Sequence, residues 1–200
     1  MTIGHNFIAG QQSTEGQVSL KSVNATTGEN LPYTFYQATQ NEVNKACEAA
    51  YQAFQTYRHI SPEKRAQFLE TIADELDALG DDFLNIVSQE TALPLARLQG
   101  ERGRTSGQMR LFAKVLRRGD FLGARIDTAM PDRKPMPRTD LRQVKTGIGP
   151  VGVFGASNFP LAFSTAGGDT ASALAAGCSV VFKAHSGHMT TAHYVAEAIE

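Results

Sequence analysis

Asn158 stands directly after a short apolar run in GPVGVFGASNFPLAFSTAGGD, Gly149–Asp169. A carboxamide held at the exit of a buried strand can do one particular piece of chemistry: its N–H can stabilise an oxyanion that develops on a bound carbonyl. Deleting such a donor can cost roughly 3–4 kcal/mol of transition-state stabilisation. The bland alternative is that Asn158 caps the helix that follows, and spacing alone leaves both readings open. Lys183 raises the same kind of question after the run SVVF, Ser179–Phe182. A lysine there can bind a nucleotide hydroxyl or phosphate, or simply reach into solvent, which is the commoner fate of a lysine.

The elements around these two residues decide whether they can act together. Val151–Phe154 reads as a strand. Pro160 biases Phe159 away from the α region, so a helix is expected from about Pro160, through Leu161, Phe163 and the alanine-rich ASALAA, to a stop at Gly177. Ser179–Phe182 is the next strand, and a further helix follows from about Thr190. Strand–helix–strand crossovers place parallel neighbours side by side. Residues just past the two strand ends then share one edge of the sheet, so Asn158 and Lys183 should open onto one crevice, where open α/β sheets bind ligands. The expected helix would also turn its positive N-terminal end toward that crevice.

Upstream, the first forty residues alternate short apolar runs with turn signals such as NATTGEN, which predicts a β-rich arm. Thr39 and Glu42 form a capping box ahead of a helix bearing Val43, Ala46, Ala50, Phe54 and Tyr57. Ser61-Pro62 caps a second helix, whose stripe Phe68, Ile72, Leu76, Leu79 and Phe83 is interrupted at Gly80, with Asp81 as a new cap. LQGERGRTSGQMRLFAKVL then carries Gly100, Gly103 and Gly107, each costing about 1 kcal/mol against alanine. Such a face implies tight helix packing, or a surface that lines a ligand channel. Arg104 on this face either meets an anionic substrate or, as the spacing favours, pairs with Glu101. Between Asp127 and Arg142 the chain turns proline-rich and charged, which reads as a connection or a projecting hairpin leading to a strand around Leu141–Lys145.

The chain has 200 residues, 42% of them hydrophobic, and a net charge of −1. That supports a substantial core and offers no basic footprint for nucleic acid. No run is long enough to span a bilayer and no leader pattern opens the sequence, so a cytoplasmic protein is expected. Cys47 and Cys178 read as reduced, small core residues, and the scattered histidines give no metal-ligand spacing.

GPVGVFGASNFPLAF followed by ALAAGCSVVFKAHSGH resembles the aldehyde dehydrogenase superfamily, and PEKRAQFLETIADEL extends the similarity upstream. The stretches DRKPMPRTDLR and GGDTASALAAGC look most like the branch acting on α-ketoglutarate semialdehyde. The resemblance implies that Asn158 shares an oxyanion hole with a backbone N–H at a cysteine nucleophile. It implies that Lys183 binds the adenosine ribose or its phosphate, that Ala156 and Ser157 lie beside the cofactor, and that Phe159 and Phe163 face the aldehyde channel, with Arg104 a candidate for an anionic substrate end. Ala156-Ser157 replaces the family's usual proline–tryptophan, and Gly167-Gly168 stands where a helical lysine is frequent. Ser186 stands where NAD-preferring members often carry a glutamate, so NADP is expected to be accepted alongside, or ahead of, NAD.

The family's nucleophile, general base and later phosphate turn have no counterpart in these residues, and TTAHYVAEAIE halts in mid-helix without a stop signal. Two readings follow. The chain is the N-terminal part of a dehydrogenase, inactive by itself, or it is a catalytically silent module that binds nucleotide or self-associates. Other semialdehydes or fatty aldehydes are alternative substrates for the first reading. The expected fold is α/β: the N-terminal portion of a Rossmann-like parallel-sheet cofactor domain. Residues 1–126 would form the arm and helices, 127–147 part of an oligomerisation hairpin, and 148–200 the strand–helix–strand–helix unit, in a homodimer or homotetramer when intact.

Overall fold

The Thr39 side chain accepts a hydrogen bond from the Glu42 amide, and the Glu42 carboxylate accepts one from the Thr39 amide. This reciprocal cap starts α1 (Gln40–Tyr57) in a computed structural model that describes residues 2–200. Glu42 does more than cap, because its Oε1 also accepts from Ser13 Oγ and the Glu15 amide. Burial by itself would raise its pKa, yet the hydrogen bonds from Ser13, Thr39 and Glu15 outweigh that and hold it down at about 2. The inward row of α1 is Glu42, Ala50 and Phe54 rather than one starting at Val43, which is exposed. Cys47 lies beside that row and is also exposed, contrary to its expected place in the core; Cys178 is buried.

The segment ahead of α1 is β-rich. β1 (Thr2–Ile3) pairs in parallel with β5 (Asn30–Tyr36), which pairs antiparallel with β4 (Ser19–Val23). Between them β2 (Asn6–Ile8) and β3 (Gln11–Ser13) form a hairpin that turns through Ala9 and Gly10 at positive φ.

After α1, Ser61 accepts from the Lys64 amide and Pro62 opens α2 (Pro62–Ala78). Gly80, at φ +72°, separates it from α3 (Gly80–Thr91). Asp81 makes no capping bond, since the chain turns at the glycine without one. α4 (Leu95–Arg118) runs antiparallel to α2: Arg110 bonds Asp74 and Asp77, while Arg117 bonds Glu63 and Glu70. These exposed pairs contribute little each. The apolar seam beneath them, including Leu69, Ile72, Leu76, Leu98, Met109 and Leu116, contributes far more, about 1.5–3 kcal/mol for each large side chain. Phe68, placed on this stripe by its spacing, is 40% exposed.

A short hairpin, β6 (Arg125–Asp127) with β7 (Leu141–Gln143), projects from the helices and leaves Ile126 and Leu141 exposed. β8 (Val151–Phe154) and β9 (Val180–Lys183) pair in parallel around α5 (Gly168–Ala176), and α6 (Met189–Ile199) follows. α6 is tied down by Glu90 of α3, which is 4% exposed and accepts from the Thr190 amide and from the Thr191 amide and hydroxyl. The same carboxylate accepts from Ser22 of β4, joining arm, α3 and α6.

The helix expected from Pro160 begins instead at Gly168, with Gly167 as its N-cap. The amides of Leu161 and Ala162, which would open that helix, donate to the Glu101 carboxylate at 2.9 and 3.0 Å. The chain then folds back so tightly that a Cβ on Gly167 would sit 2.6 Å from the Ala162 oxygen and 2.7 Å from the Ser164 nitrogen. No helix among the described residues is long and apolar enough to cross a membrane.

Candidate active site

β8 and β9 carry the candidate residues to one edge. Phe154 lies opposite Lys183 in the parallel register, and the Gly155 amide donates to the Lys183 carbonyl at 3.0 Å. Both strand exits therefore leave the sheet side by side, as the crossover reasoning requires. Beyond Gly155 the Ala156 amide donates to the Phe163 carbonyl at 2.8 Å, closing the intervening residues into a loop. The Ala156 carbonyl sits 2.8 Å from His188 Nε2. A carbonyl only accepts, so Nε2 carries the proton and donates. His188 is 1% exposed and stacks on His185 with ring centroids 5.3 Å apart. Burial holds the His185 imidazole below its ordinary pKa, and the charges of His188 and Lys183 add to the effect.

Ser157, Asn158 and Phe159 line a cavity of about 370 Å³, together with His185 and Gly187 from beyond β9. Asn158 is exposed to it and lies well ahead of α5. Neither a helix-capping role nor a helix-dipole argument therefore applies to it. Its backbone is fixed from another direction: Arg97 Nη2 of α4 donates to the Asn158 carbonyl at 2.9 Å. Lys183 and Ser186 are exposed at the same edge, outside the lining of this cavity. Lys183 makes no ion pair with another described residue. A larger cavity of about 610 Å³ lies against β8 near Ile148, Phe154 and Asp169, and contains none of the expected site residues.

Phe159, Phe163 and Arg104 do come together. The two rings meet edge to face with centroids 5.4 Å apart. The Arg104 guanidinium lies 5.5 Å from the Phe159 centroid and 5.2 Å from that of Phe163. The expected Arg104–Glu101 pair does not form. Glu101 faces inward, drawn by the Leu161 and Ala162 amides, and its charged neighbour is Arg97 at 3.8 Å, one helical turn earlier. Gly100, Gly103 and Gly107 are exposed, with nothing within 4 Å of where a Cβ would stand, so they pack against no other described element.

The sequence pattern marks no role for Arg97, and helical spacing points Glu101 to Arg104 although its partners are the Leu161 and Ala162 amides and Arg97. A signal existed for Glu101: it shares helical spacing with Leu98, Thr105 and Met109, all buried. A carboxylate on such a face must find donors. Nothing local marked Arg97, whose partner lies in a distant loop.

Residues 11–200 match the aldehyde dehydrogenase family. Over 98% of this chain the sequence is 62% identical to an alpha-ketoglutaric semialdehyde dehydrogenase from Acinetobacter baylyi, and over its whole length it is 55% identical to alpha-ketoglutaric semialdehyde dehydrogenase 2 from Azospirillum brasilense. The chain spans 38% and 37% of those two relatives. Betaine aldehyde dehydrogenase from Staphylococcus aureus, crystallised with NAD+, superposes with a TM-score of 0.85 at 23% identity, over 98% of this chain and 38% of that one, which is a likeness of fold. Matched by the family over residues 11–200 and by these relatives along nearly its whole sequence, the chain with its parallel β8–β9 edge belongs to the aldehyde dehydrogenase family.

Proposed function

We propose that the intact protein oxidises α-ketoglutarate semialdehyde to α-ketoglutarate with a nicotinamide cofactor, acting in the cytoplasm. The observation that carries this reading is the 62% identity to an alpha-ketoglutaric semialdehyde dehydrogenase, which runs through both strand exits. The edge fits a dinucleotide: Lys183 is an exposed cation without an ion-pair partner among the described residues, and it stands where two parallel strands end. Lys183 would hold the adenosine ribose or its phosphate, Ser186 leaves a 2′-phosphate unopposed by any carboxylate of its own, and Ala156 and Ser157 would flank the cofactor. When bound, the cofactor supplies the hydride acceptor.

The chain's own contribution is positioning and charge stabilisation. A thiolate from outside these residues adds to the aldehyde carbon, forming a C–S bond while the carbonyl π electrons move onto oxygen. Asn158 donates its carboxamide N–H to that oxyanion. Neither thiol described here lies in the crevice, since Cys47 is exposed on α1 and Cys178 is buried ahead of β9. Phe159 and Phe163 form an apolar wall for the aldehyde, and Arg104, held across both rings, offers a guanidinium to the distal carboxylate. The β6–β7 hairpin, with Ile126 and Leu141 exposed, serves subunit association in a dimer or tetramer.

The test is kcat/KM of the full-length enzyme for α-ketoglutarate semialdehyde, succinic semialdehyde and a long-chain aldehyde, with NAD and NADP in turn, alongside Asn158→Ala. The reading expects the first substrate to lead, NADP to be accepted, and Asn158→Ala to lose about 100-fold to 1000-fold in kcat. A preference for long-chain aldehydes would overturn the substrate, and strong selectivity for NAD would overturn the cofactor reading.

A further inference from the structure

One turn of α4 grips the Asn158 loop at several consecutive points. Arg97 Nη2 donates to the Asn158 carbonyl at 2.9 Å, and its guanidinium lies 5.2 Å from the Phe159 centroid. Four residues on, Glu101 Oε1 accepts the Leu161 and Ala162 amides. Glu101 is 5% exposed, and its Oε2 makes no hydrogen bond, with Arg97 as its nearest cation at 3.8 Å. A buried carboxylate is costly, and removing one partner of such a pair leaves the other uncompensated. The loop has no regular structure of its own between β8 and α5, so these bonds are what fix its backbone path on the α4 side.

We infer that Arg97 and Glu101 form a positioning clamp that sets where the Asn158 carboxamide stands. Glu101 holds the two amides that follow Pro160, and Arg97 holds the carbonyl of Asn158 itself. Together they stop the loop from rotating about the Ser157–Pro160 segment. Glu101 lies outside the lining of the cavity, whereas Arg97 borders it beside Asn158; the clamp assigns both a role through Asn158, Arg97 by way of that residue's carbonyl. Oxyanion stabilisation depends on a donor placed for the transition state, so a loosened loop should slow the chemical step more than it weakens substrate binding. The inference rests on the oxyanion reading of Asn158.

The test is a double-mutant cycle in the full-length enzyme: Glu101→Gln, Asn158→Ala and the pair, with kcat and KM measured for each. Glutamine keeps an oxygen for the Leu161 and Ala162 amides but loses the charge that faces Arg97. The clamp predicts that Glu101→Gln lowers kcat about tenfold with KM within twofold, and that this loss shrinks below twofold when Asn158 is already alanine. Arg97→Met supplies the same cycle from a partly exposed position, and keeps the test alive if Glu101→Gln fails to fold. Equal losses in both Asn158 backgrounds would show a merely structural role and overturn the clamp. Asn158→Ala slow and both clamp variants fast would overturn the clamp alone; Asn158→Ala at the wild-type rate would overturn the oxyanion reading and the clamp with it.

Discussion

Replacing Glu90 by glutamine removes a charge and one acceptor oxygen from the junction of arm, α3 and α6. In that junction Oε1 accepts from Ser22 Oγ at 2.6 Å and the Thr190 amide at 2.8 Å, and Oε2 accepts from the Thr191 amide and hydroxyl, both at 2.8 Å. Glutamine keeps one oxygen. If its NH₂ faces Thr191, the hydroxyl can rotate to accept from it, but the Thr191 amide is left against another donor. Turning the side chain over strands the Thr190 amide instead, so neither rotamer escapes. A buried donor without a partner costs about 1–3 kcal/mol, and the surviving bonds lose their charge assistance, giving about 3 kcal/mol in total. At 1.4 kcal/mol per factor of ten, amide exchange at the start of α6 should speed up about 100-fold. Hydrogen exchange on the full-length protein, wild type against Glu90→Gln, reads this directly at Thr190 and Thr191. Protection that stays within threefold at both amides would refute the reasoning.

Arg104→Gln should raise KM for α-ketoglutarate semialdehyde by about 10-fold to 100-fold, the worth of a hydrogen bond to a charged group, while kcat/KM for a neutral aldehyde stays within twofold. Comparing the two substrates checks it. Glu42 links the β2–β3 hairpin to α1 with a pKa lowered to about 2 from 4.5. Because the folded value is the lower one, its contribution, about 3 kcal/mol, is present above pH 4.5 and is lost as pH falls toward 2. Acid titration followed by exchange in β2–β3 should show that loss, and Glu42→Gln should abolish the dependence.

The features legible in the sequence are those governed by neighbours in the chain. The Thr39–Glu42 box and Ser61-Pro62 each follow from a few adjacent residues, and the parallel pairing of β8 with β9, with the edge their exits share, follows from the crossover between them. The loop after Pro160 was illegible because its helix-opening amides are taken by Glu101, far away in sequence. Local propensity allowed a helix there, and a tertiary acceptor overrode it. Arg104 lies over two rings rather than beside Glu101 for the same reason, since that carboxylate is committed to the Leu161 and Ala162 amides. Cys47 shows a different limit: alanine-rich context suggested burial, but one step around a helix is enough to reach solvent.

The carboxylate seated on the first turn of α6 also restricts where a dinucleotide can lie. A helix beginning beside a parallel strand is an inviting place for a pyrophosphate, because its free amides and positive end favour anions. Here two of those amides, on Thr190 and Thr191, are already bonded to an anion that belongs to the protein. A second negative group brought to the same turn would meet repulsion and find the donors taken. That turn is therefore closed to an added anion, and α6, through the His188 ring against the Ala156 carbonyl, acts as a buttress for the strand exits.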